Sequence, residues 1–308
     1  GFVCIDLATD GPFTKKGNSS YLINYRLSTS VLLNEFLQEA DIPIFQDLSF
    51  KLHFKLKNKG VINIFGIGGL SGSSYIPPLD TSLWTGRLAG SLGRIYQANT
   101  ATMGGSYVQP LSDKTYMKHT LMGTGMSIYQ LNWYQNPDLV TADTTHRRND
   151  LDAQISYSGY VNHKFNDHHN HRSGLIVHGL YAQVSSVRAQ FFPDGTNSGQ
   201  LDDTQRQGRG NSMMIQAYTR SQFRRVKWQL NVGLHGMYFL QNGSFSIEPR
   251  MGVRYQPHPK HSLSFGYGLH SQMEPFYAYV LASRDSSSSL MRVKNADLDF
   301  NKAHHLAL

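Results

Sequence analysis

The stretch of sequence best suited to chemistry is HKFNDHHNHR, residues 163–172. Imidazole nitrogens and carboxylate oxygens are common ligands of zinc and copper. The side chains of this kind in the stretch are His163, Asp167, His168, His169 and His171. Neighbouring residues of an extended chain, such as His168 and His169, point to opposite sides. We therefore interpret the stretch as a polar turn between two strands, with His168, His169 and His171 as the alternative metal ligands.

The sequence contains none of the common catalytic motifs. It has no G-x-S-x-G nucleophile elbow and no P-loop. GIGGLSG, residues 66–72, does not match the dinucleotide pattern G-x-G-x-x-G, because Ser71 stands where the third glycine belongs. The single cysteine, Cys4, cannot form an internal disulfide or a cysteine-based metal centre. We predict a protein that is not an enzyme and has no cofactor.

The chain has a formal net charge of +8, although only 16% of its residues are charged. A basic protein can bind nucleic acid, but here the basic residues are dispersed and no RNP, zinc-finger or helix-turn-helix pattern occurs. The densest pairs, Arg147-Arg148 and Arg224-Arg225, lie beside predicted turns. We expect these pairs to contact lipid headgroups, and we predict no nucleic-acid partner.

Two segments combine aromatic rings with arginine: SYIPPLDTSLWTGR, residues 74–87, and FYAYVLASR, residues 276–284. Exposed rings and guanidinium groups stack on sugars and on planar chelates. The candidate ligand-contacting residues are Tyr75, Trp84, Arg87, Tyr277, Tyr279 and Arg284. The alternative is that these loops pack on one another.

Strands must position most of these side chains, because apolar and polar residues alternate with a period of two. In LSFKLHFKLK, residues 48–57, leucine and phenylalanine alternate with serine, lysine and histidine. We predict strands near residues 1–9, 19–29, 46–57, 60–70, 97–110, 114–134, 149–163, 172–191, 212–223, 227–240, 244–257, 260–272 and 297–308. SVLLNEFLQEAD, residues 30–41, predicts a short loop helix.

The predicted connections alternate in length. KNKG, PLSDK, FNDHHNHR, FRRVK and QPHPK are short, whereas residues 71–96, 135–148, 192–211 and 273–296 form long connections, with QNG at 241–243 as the exception. Outer-membrane barrels have short turns on one side, long loops on the other and aromatic girdles at both boundaries. Rings near predicted strand ends are Trp133, Tyr134, Phe191, Phe192, Phe223, Trp228, Tyr238 and Phe239. The pattern favours an antiparallel transmembrane β-barrel.

Several segments resemble barrel strands of a TonB-dependent outer-membrane receptor, of the type with an N-terminal carboxypeptidase-regulatory-like domain. GFVCIDLATDGPFTKKGNSSYLINYRLSTS is similar to early strands. FQDLSFKLHFK, INIFGIGGLS and SFSIEPRMGVRYQPHPKHSLSFGYGLHSQMEPFYAY are similar to later ones. The similarity keeps this order over nearly the whole chain, and IEPRMGVRY and GYGLHSQ are its most specific phrases.

The resemblance implies a barrel of about 22 strands filled by an N-terminal plug. Such receptors import scarce nutrients, such as iron chelates, cobalamin or glycans, with energy from a periplasmic protein, TonB, that grips an N-terminal box. Residues 1–308 are then expected to be an internal part of the barrel, with about 13 strands, in the outer membrane. The expected partners are lipid, the plug of the parent protein, TonB and an unidentified nutrient.

The alternation also predicts which side chains face the lumen. The expected lumen-facing residues are Lys51, His53, Lys55, Glu248, Arg250 and Arg254, with the opposite face toward lipid. Pro249 lacks an amide hydrogen, so we expect it near the outer rim or at a bulge, where pairing is loose.

Two alternatives remain at this stage. One is a soluble all-β ligand-binding module, a sandwich or propeller, that displays its long loops. The other is a passive porin-like barrel. A ladder between residues 1–9 and 297–308 would indicate a complete small barrel, whereas the fragment of a larger barrel predicts an open sheet.

Overall fold

The architecture comes from a computed structural model, which describes residues 4–15, 17–30, 42–84, 91–140, 142–188, 204–284, 291–293 and 295–308. The strands in chain order are β1 (Cys4–Pro12), β2 (Ser19–Ser28), β3 (Ile44–Lys55), β4 (Val61–Tyr75), β5 (Leu92–Ser112), β6 (Thr115–Gln135), β7 (Ala142–Asn166), β8 (His169–Arg188), β9 (Thr204–Arg225), β10 (Trp228–Phe239), β11 (Phe245–His258), β12 (His261–Gln272), β13 (Ala282–Arg284), β14 (Met291–Val293) and β15 (Asn301–Ala307). The described helical elements are a 3-10 turn (Thr81–Leu83) and α1 (Tyr277–Val280). The predicted loop helix at 30–41 lies almost entirely outside the described residues.

All of the strands belong to one antiparallel sheet. Strands β1 to β12 pair in chain order, and β15 follows β12. Within the part of the chain that the structure describes, β1 pairs only with β2, and β15 pairs only with β12. The predicted open sheet of about 13 strands is therefore confirmed.

The strand register places apolar residues on one face of the sheet. Phe50 of β3, Gly66, Met103, Gly123 and Ile155 of β7 are successive cross-strand partners. Of these, Met103 and Ile155 are 62% and 66% exposed. Because strand side chains alternate between faces, this row defines an apolar face that is open to the surroundings.

The opposite face is polar. Asn63 of β4, Ser106, Thr120 and Ser158 of β7 are successive partners that lie three residues along each strand from the apolar row, and therefore on the other face. This polar face includes most of the buried side chains, whereas the exposed large hydrophobic residues lie mainly on the apolar face. A sandwich or propeller hides its apolar residues between sheets, so the single sheet of the described residues is neither of these two folds.

Aromatic rings stack on the apolar face close to the short turns. The ring centroids of Trp228 and Tyr255 are 4.3 Å apart, as are those of His169 and Phe223. The prediction that Phe239 belongs to the aromatic girdle is wrong, because this residue is 0% exposed and lies on the polar face. It shares the parity of His235 rather than that of Trp228, so it packs inward. Phe191 and Phe192 lie outside the described residues.

The connections alternate in length as predicted, but the prediction of a long connection at 135–148 is wrong. β7 begins at Ala142, so this connection shortens to residues 136–141. β4 and β9 likewise extend into the connections predicted at 71–96 and 192–211. These extensions carry polar residues on both faces, and therefore the period-two signal disappears although the strand continues.

The short strand β10 leaves the far half of β9 without its neighbour. β10 pairs with β9 from Met214 to Arg225, whereas β9 begins at Thr204. The small β13–β14 hairpin pairs with β9 at Arg206 and Gln207 and covers part of this edge. No helix among the described residues is long and apolar enough to cross a membrane.

Candidate functional site: the polar face of the sheet

Glu248 of β11 is the most enclosed charged group on the polar face, with 0% exposure. Its Oε2 lies 2.9 Å from Nδ1 of His235 and accepts a hydrogen bond from Nη2 of Arg250 at 2.5 Å. Its Oε1 accepts the backbone N–H of Ser271 at 2.9 Å. A buried carboxylate is tolerated when it is paired in this way.

Pro249 explains why Glu248 can reach Ser271. Proline offers no N–H to a ladder, and regular pairing between β11 and β12 stops at Arg250–Gly268, next to Pro249. The Glu248 carboxylate binds the Ser271 amide just beyond this point. Pro249 lies toward the β10–β11 turn, so the expected loose pairing at this residue agrees with the structure.

The other residues expected in the lumen share the polar face. Lys51, His53 and Lys55 lie on β3 opposite in parity to Phe50, and Nδ1 of His53 lies 2.8 Å from Oδ1 of Asn63. Arg254 lies four residues beyond Arg250 on β11 and is exposed. The structure thus places these residues on one face, but it spreads them from β3 to β11 rather than in one cluster.

Near the long connections, the polar face is covered by a segment of the chain itself. α1 packs on β8, β9 and β10, where Phe276 and Tyr279 contact Phe239 at ring-centroid distances of 6.3 and 4.9 Å. Val280 lies so close to β9 that a Cβ on Gly208 would be 2.4 Å from its carbonyl oxygen. We call this contact the loop core. Its buried members are Leu180, Ala182, Met214, Met237, Phe239, Phe276, Tyr279, Val280 and Phe300.

The loop core corrects one candidate for ligand contact. Tyr279 is 1% exposed, and its hydroxyl oxygen accepts the backbone N–H of Glu274, so it is not an exposed ring. Tyr277 is 43% exposed. Trp84 donates its indole N–H to the carbonyl oxygen of Pro78, within its own loop.

The remaining candidates are not brought together. Tyr75 is the last residue of β4, and Arg284 is the last residue of β13. Arg87 lies outside the described residues. The sequence predicts all six residues in loops. It does not show which of them come together, because loop packing depends on distant strands that local patterns do not reveal.

Comparison with solved structures identifies the architecture. The chain is similar to the outer membrane transporter YddB from Escherichia coli, with a TM-score of 0.70 and 10% identity over 98% of this chain and 43% of that one. It is similar to the RagAB peptide transporter, with a TM-score of 0.66 and 12% identity over 98% and 41% of the two chains. For FpvA of P. aeruginosa bound to pyoverdines, the TM-score is 0.61 and the identity 11%, over 88% and 40%.

The fold is that of a TonB-dependent outer-membrane receptor barrel. At 10 to 12% identity, the comparison shows the fold alone. The chain spans about two-fifths of the length of these solved structures. No known protein-family profile matches the sequence, and no curated protein is similar to it.

The histidine stretch at the β7–β8 turn packs against aromatic rings. The ring of His169 lies between Phe165 and Phe223, at centroid distances of 4.6 and 4.3 Å. Nδ1 of His171 lies 2.8 Å from Oγ of Ser221. No group of three or more potential ligands among the described residues could hold a metal ion. The rings of His169 and His171 are thus engaged by aromatic and hydroxyl partners rather than converging on a point.

The turn itself is polar, as the sequence predicts. Nζ of Lys164 donates a 2.5 Å hydrogen bond to Oδ1 of Asp167, and this contact holds the pKa of Asp167 below its usual value. His168 donates its backbone N–H to Oδ1 of Asn166.

Sequence reasoning missed the arginines Arg172 and Arg220, which lie on the polar face beside Arg250. They come together only through the register of β8 to β11. The sequence carries only a weak signal for them. Each arginine alternates with apolar-face residues of its own strand, which indicates its face, but no local pattern gives the register that brings the strands side by side.

Proposed function

We propose that this chain forms part of the barrel wall of a TonB-dependent transporter. The transporter lies in the outer membrane and imports a scarce nutrient. The observation that carries this proposal is the continuous apolar face, on which residues such as Met103, Ile155 and Ile247 are more than half exposed. Lipid is the solvent that suits such a face. The receptor fold supports the same assignment.

Under this proposal the polar face lines the lumen. Lys51, His53, Lys55, Glu248, Arg250 and Arg254 then face the plug of the parent protein, and TonB acts through an N-terminal box of that protein. A barrel interior is polar because it meets water or a plug rather than lipid. The chemistry performed is passage of a solute, with no covalent step.

The nutrient belongs to the class of iron chelates, cobalamin or glycans. Structures similar to this chain include a ferric-catecholate import receptor and a peptide importer, which supports import of large solutes in general. We place ligand contact on the side of the long connections, where Tyr75 and Tyr277 are accessible.

Sidedness tests the proposal. Epitope tags inserted between residues 192 and 203, or between 285 and 290, should bind antibody on intact cells. Matched tags in the β7–β8 turn or the β11–β12 turn should require permeabilised cells. Equal labelling of both sets on intact cells would contradict the topology.

Energy coupling separates active import from the porin alternative. Growth on the limiting nutrient should require both this protein and TonB. Uptake that persists unchanged after deletion of TonB would instead favour a passive pore.

A further inference from the structure

Three arginines lie at one level of the polar face. Arg172 of β8 is the cross-strand partner of Arg220 of β9, which is the partner of Gly233 of β10, which in turn pairs with Arg250 of β11. The row continues to Gly268 of β12 and His305 of β15. Like charges directly opposite each other in a sheet are destabilising, so Arg172 and Arg220 together favour an anion.

Glycines open a recess beside these arginines. Gly233, Gly252, Gly266 and Gly268 line it, and its volume is about 650 Å³. A ligand can approach the backbone closely at Gly252 and Gly266, where an added Cβ would meet nothing nearer than 3.9 Å, whereas the ring of His270 already lies over Gly268. Volumes of this order are typical of small-molecule sites.

The recess is unbalanced in charge. The described residues that line it include Arg172, Arg220 and Arg250 but no aspartate or glutamate. Of these, Arg250 is paired with Glu248, which lies behind it. Two guanidinium charges therefore have no acidic partner among the described residues of the recess.

Neutral groups hold Arg172 in position. Its Nη2 donates to the hydroxyl of Tyr116 at 3.1 Å and its Nε to Oδ1 of Asn162 at 3.3 Å, while the guanidinium lies 4.3 Å from the ring centroid of Tyr160. These contacts hold the guanidinium over β7, and its charge has no acidic partner among the described residues. Arg220 is exposed, and its side chain forms no hydrogen bond or ion pair with any described residue.

We propose that this recess binds a small organic anion with two or more carboxylates. Guanidinium groups match carboxylates in planar, two-pronged hydrogen bonds. Strands lie about 4.8 Å apart, so β9 and β11, which carry Arg220 and Arg250, are separated by about 10 Å. A spacing of this size suits carboxylates carried on one carbon skeleton better than a single phosphate. His270 and His305, which also line the recess and whose rings are 5.0 Å apart, offer further hydrogen-bond donors.

Isothermal titration calorimetry tests this proposal on the intact protein in a neutral detergent at low salt. Tricarballylate, a tricarboxylate, is the probe, with acetate and inorganic phosphate as comparison anions. We expect tricarballylate to bind more tightly than either comparison anion. R220Q should weaken that binding about tenfold, the loss expected when a charged hydrogen-bond donor is removed.

Two further variants separate the recess from general attraction to a basic wall. G252L fills the recess; a Cβ at this position meets only Asn231 Nδ2 and Phe265 O, both at 4.0 Å, so the strand can accept it. R254Q removes a charge from the same face of β11 outside the recess. We expect G252L to lose tricarballylate binding and R254Q to retain it, with unchanged circular dichroism for all variants.

An equal loss for R254Q and R220Q, or no binding of tricarballylate at millimolar concentration, would overturn the proposal. So would tighter binding of phosphate than of tricarballylate. The titration needs no transport assay, so its failure is distinct from failure of the proposed import function.

Discussion

Two regions of the polar face use glycine in opposite ways. In the loop core, Gly208 and Gly210 of β9 are covered by Val280 of α1, and a Cβ on either would lie within 2.6 Å of an atom of Val280. In the recess, a Cβ on Gly252 would meet nothing closer than 4.0 Å. Glycine clears space at all three positions, but only at Gly208 and Gly210 does the chain fill that space itself.

The same sheet therefore has one region that the chain covers and one that it leaves open. The loop core is closed by aromatic packing around Phe239. The recess is lined by three arginines and by no acidic residue among the described ones. Glu248 of β11 binds the side chain of Arg250, which lines the recess, and also the backbone N–H of Ser271 on β12.

The largest effect is expected in the loop core. Phe239→Ala should destabilise the folded protein by about 4 kcal/mol, because it removes a fully buried ring that contacts Phe276 and Tyr279. Asn231→Ala, in the recess on the same strand, should change stability by less than about 0.5 kcal/mol. Denaturant unfolding in detergent measures both. Similar losses for the two variants would remove the distinction between the regions.

Glu248→Ala should cost about 3 kcal/mol, since it leaves His235, Arg250 and the Ser271 amide without a buried partner. Arg250→Gln should cost less, because the Arg250 side chain is 44% exposed and water replaces its partner. The same unfolding experiment ranks the pair. A larger loss for Arg250→Gln would show that the cluster is not organised around the carboxylate.

A matched glycine pair should give effects of opposite sign. Gly208→Ala should destabilise by about 2 kcal/mol, because the new Cβ would lie 2.4 Å from the carbonyl oxygen of Val280. Gly252→Ala should stabilise by about 0.5 kcal/mol, since its φ is not positive and the unfolded chain loses freedom. Thermal melts of the two variants measure both changes. A melting temperature that shifts in the same direction in both variants would contradict the comparison.

The strands could be predicted from the sequence because each one contacts different surroundings on its two faces. The runs at residues 48–56 and 228–234 alternate for this reason, and apart from Leu56 both lie within strands of the structure. The start of β7 at Ala142 could not be predicted, because polar residues on both faces hide the period.

The loop core and the recess could not be predicted either. The packing of α1 on Gly208 depends on the early end of β10, which leaves β9 uncovered. The recess depends on register, since Gly233 and Arg220 are adjacent only across a ladder. Period-two patterns fix which face a residue occupies but not which residue lies beside it.

Solvent accessibility along β10 tests the central claim, that one face of this sheet meets lipid and the other an aqueous lumen. Nitroxide labels are placed singly at residues 228–235 in a Cys4→Ser background, and their collision rates with oxygen and with a water-soluble nickel chelate are measured in lipid vesicles. We predict that Trp228, Leu230, Val232 and Leu234 favour oxygen, whereas Gln229, Asn231, Gly233 and His235 favour the chelate. Accessibilities that do not alternate from one residue to the next would contradict the account. So would an alternation in which the second set of residues favours oxygen and the first set favours the chelate.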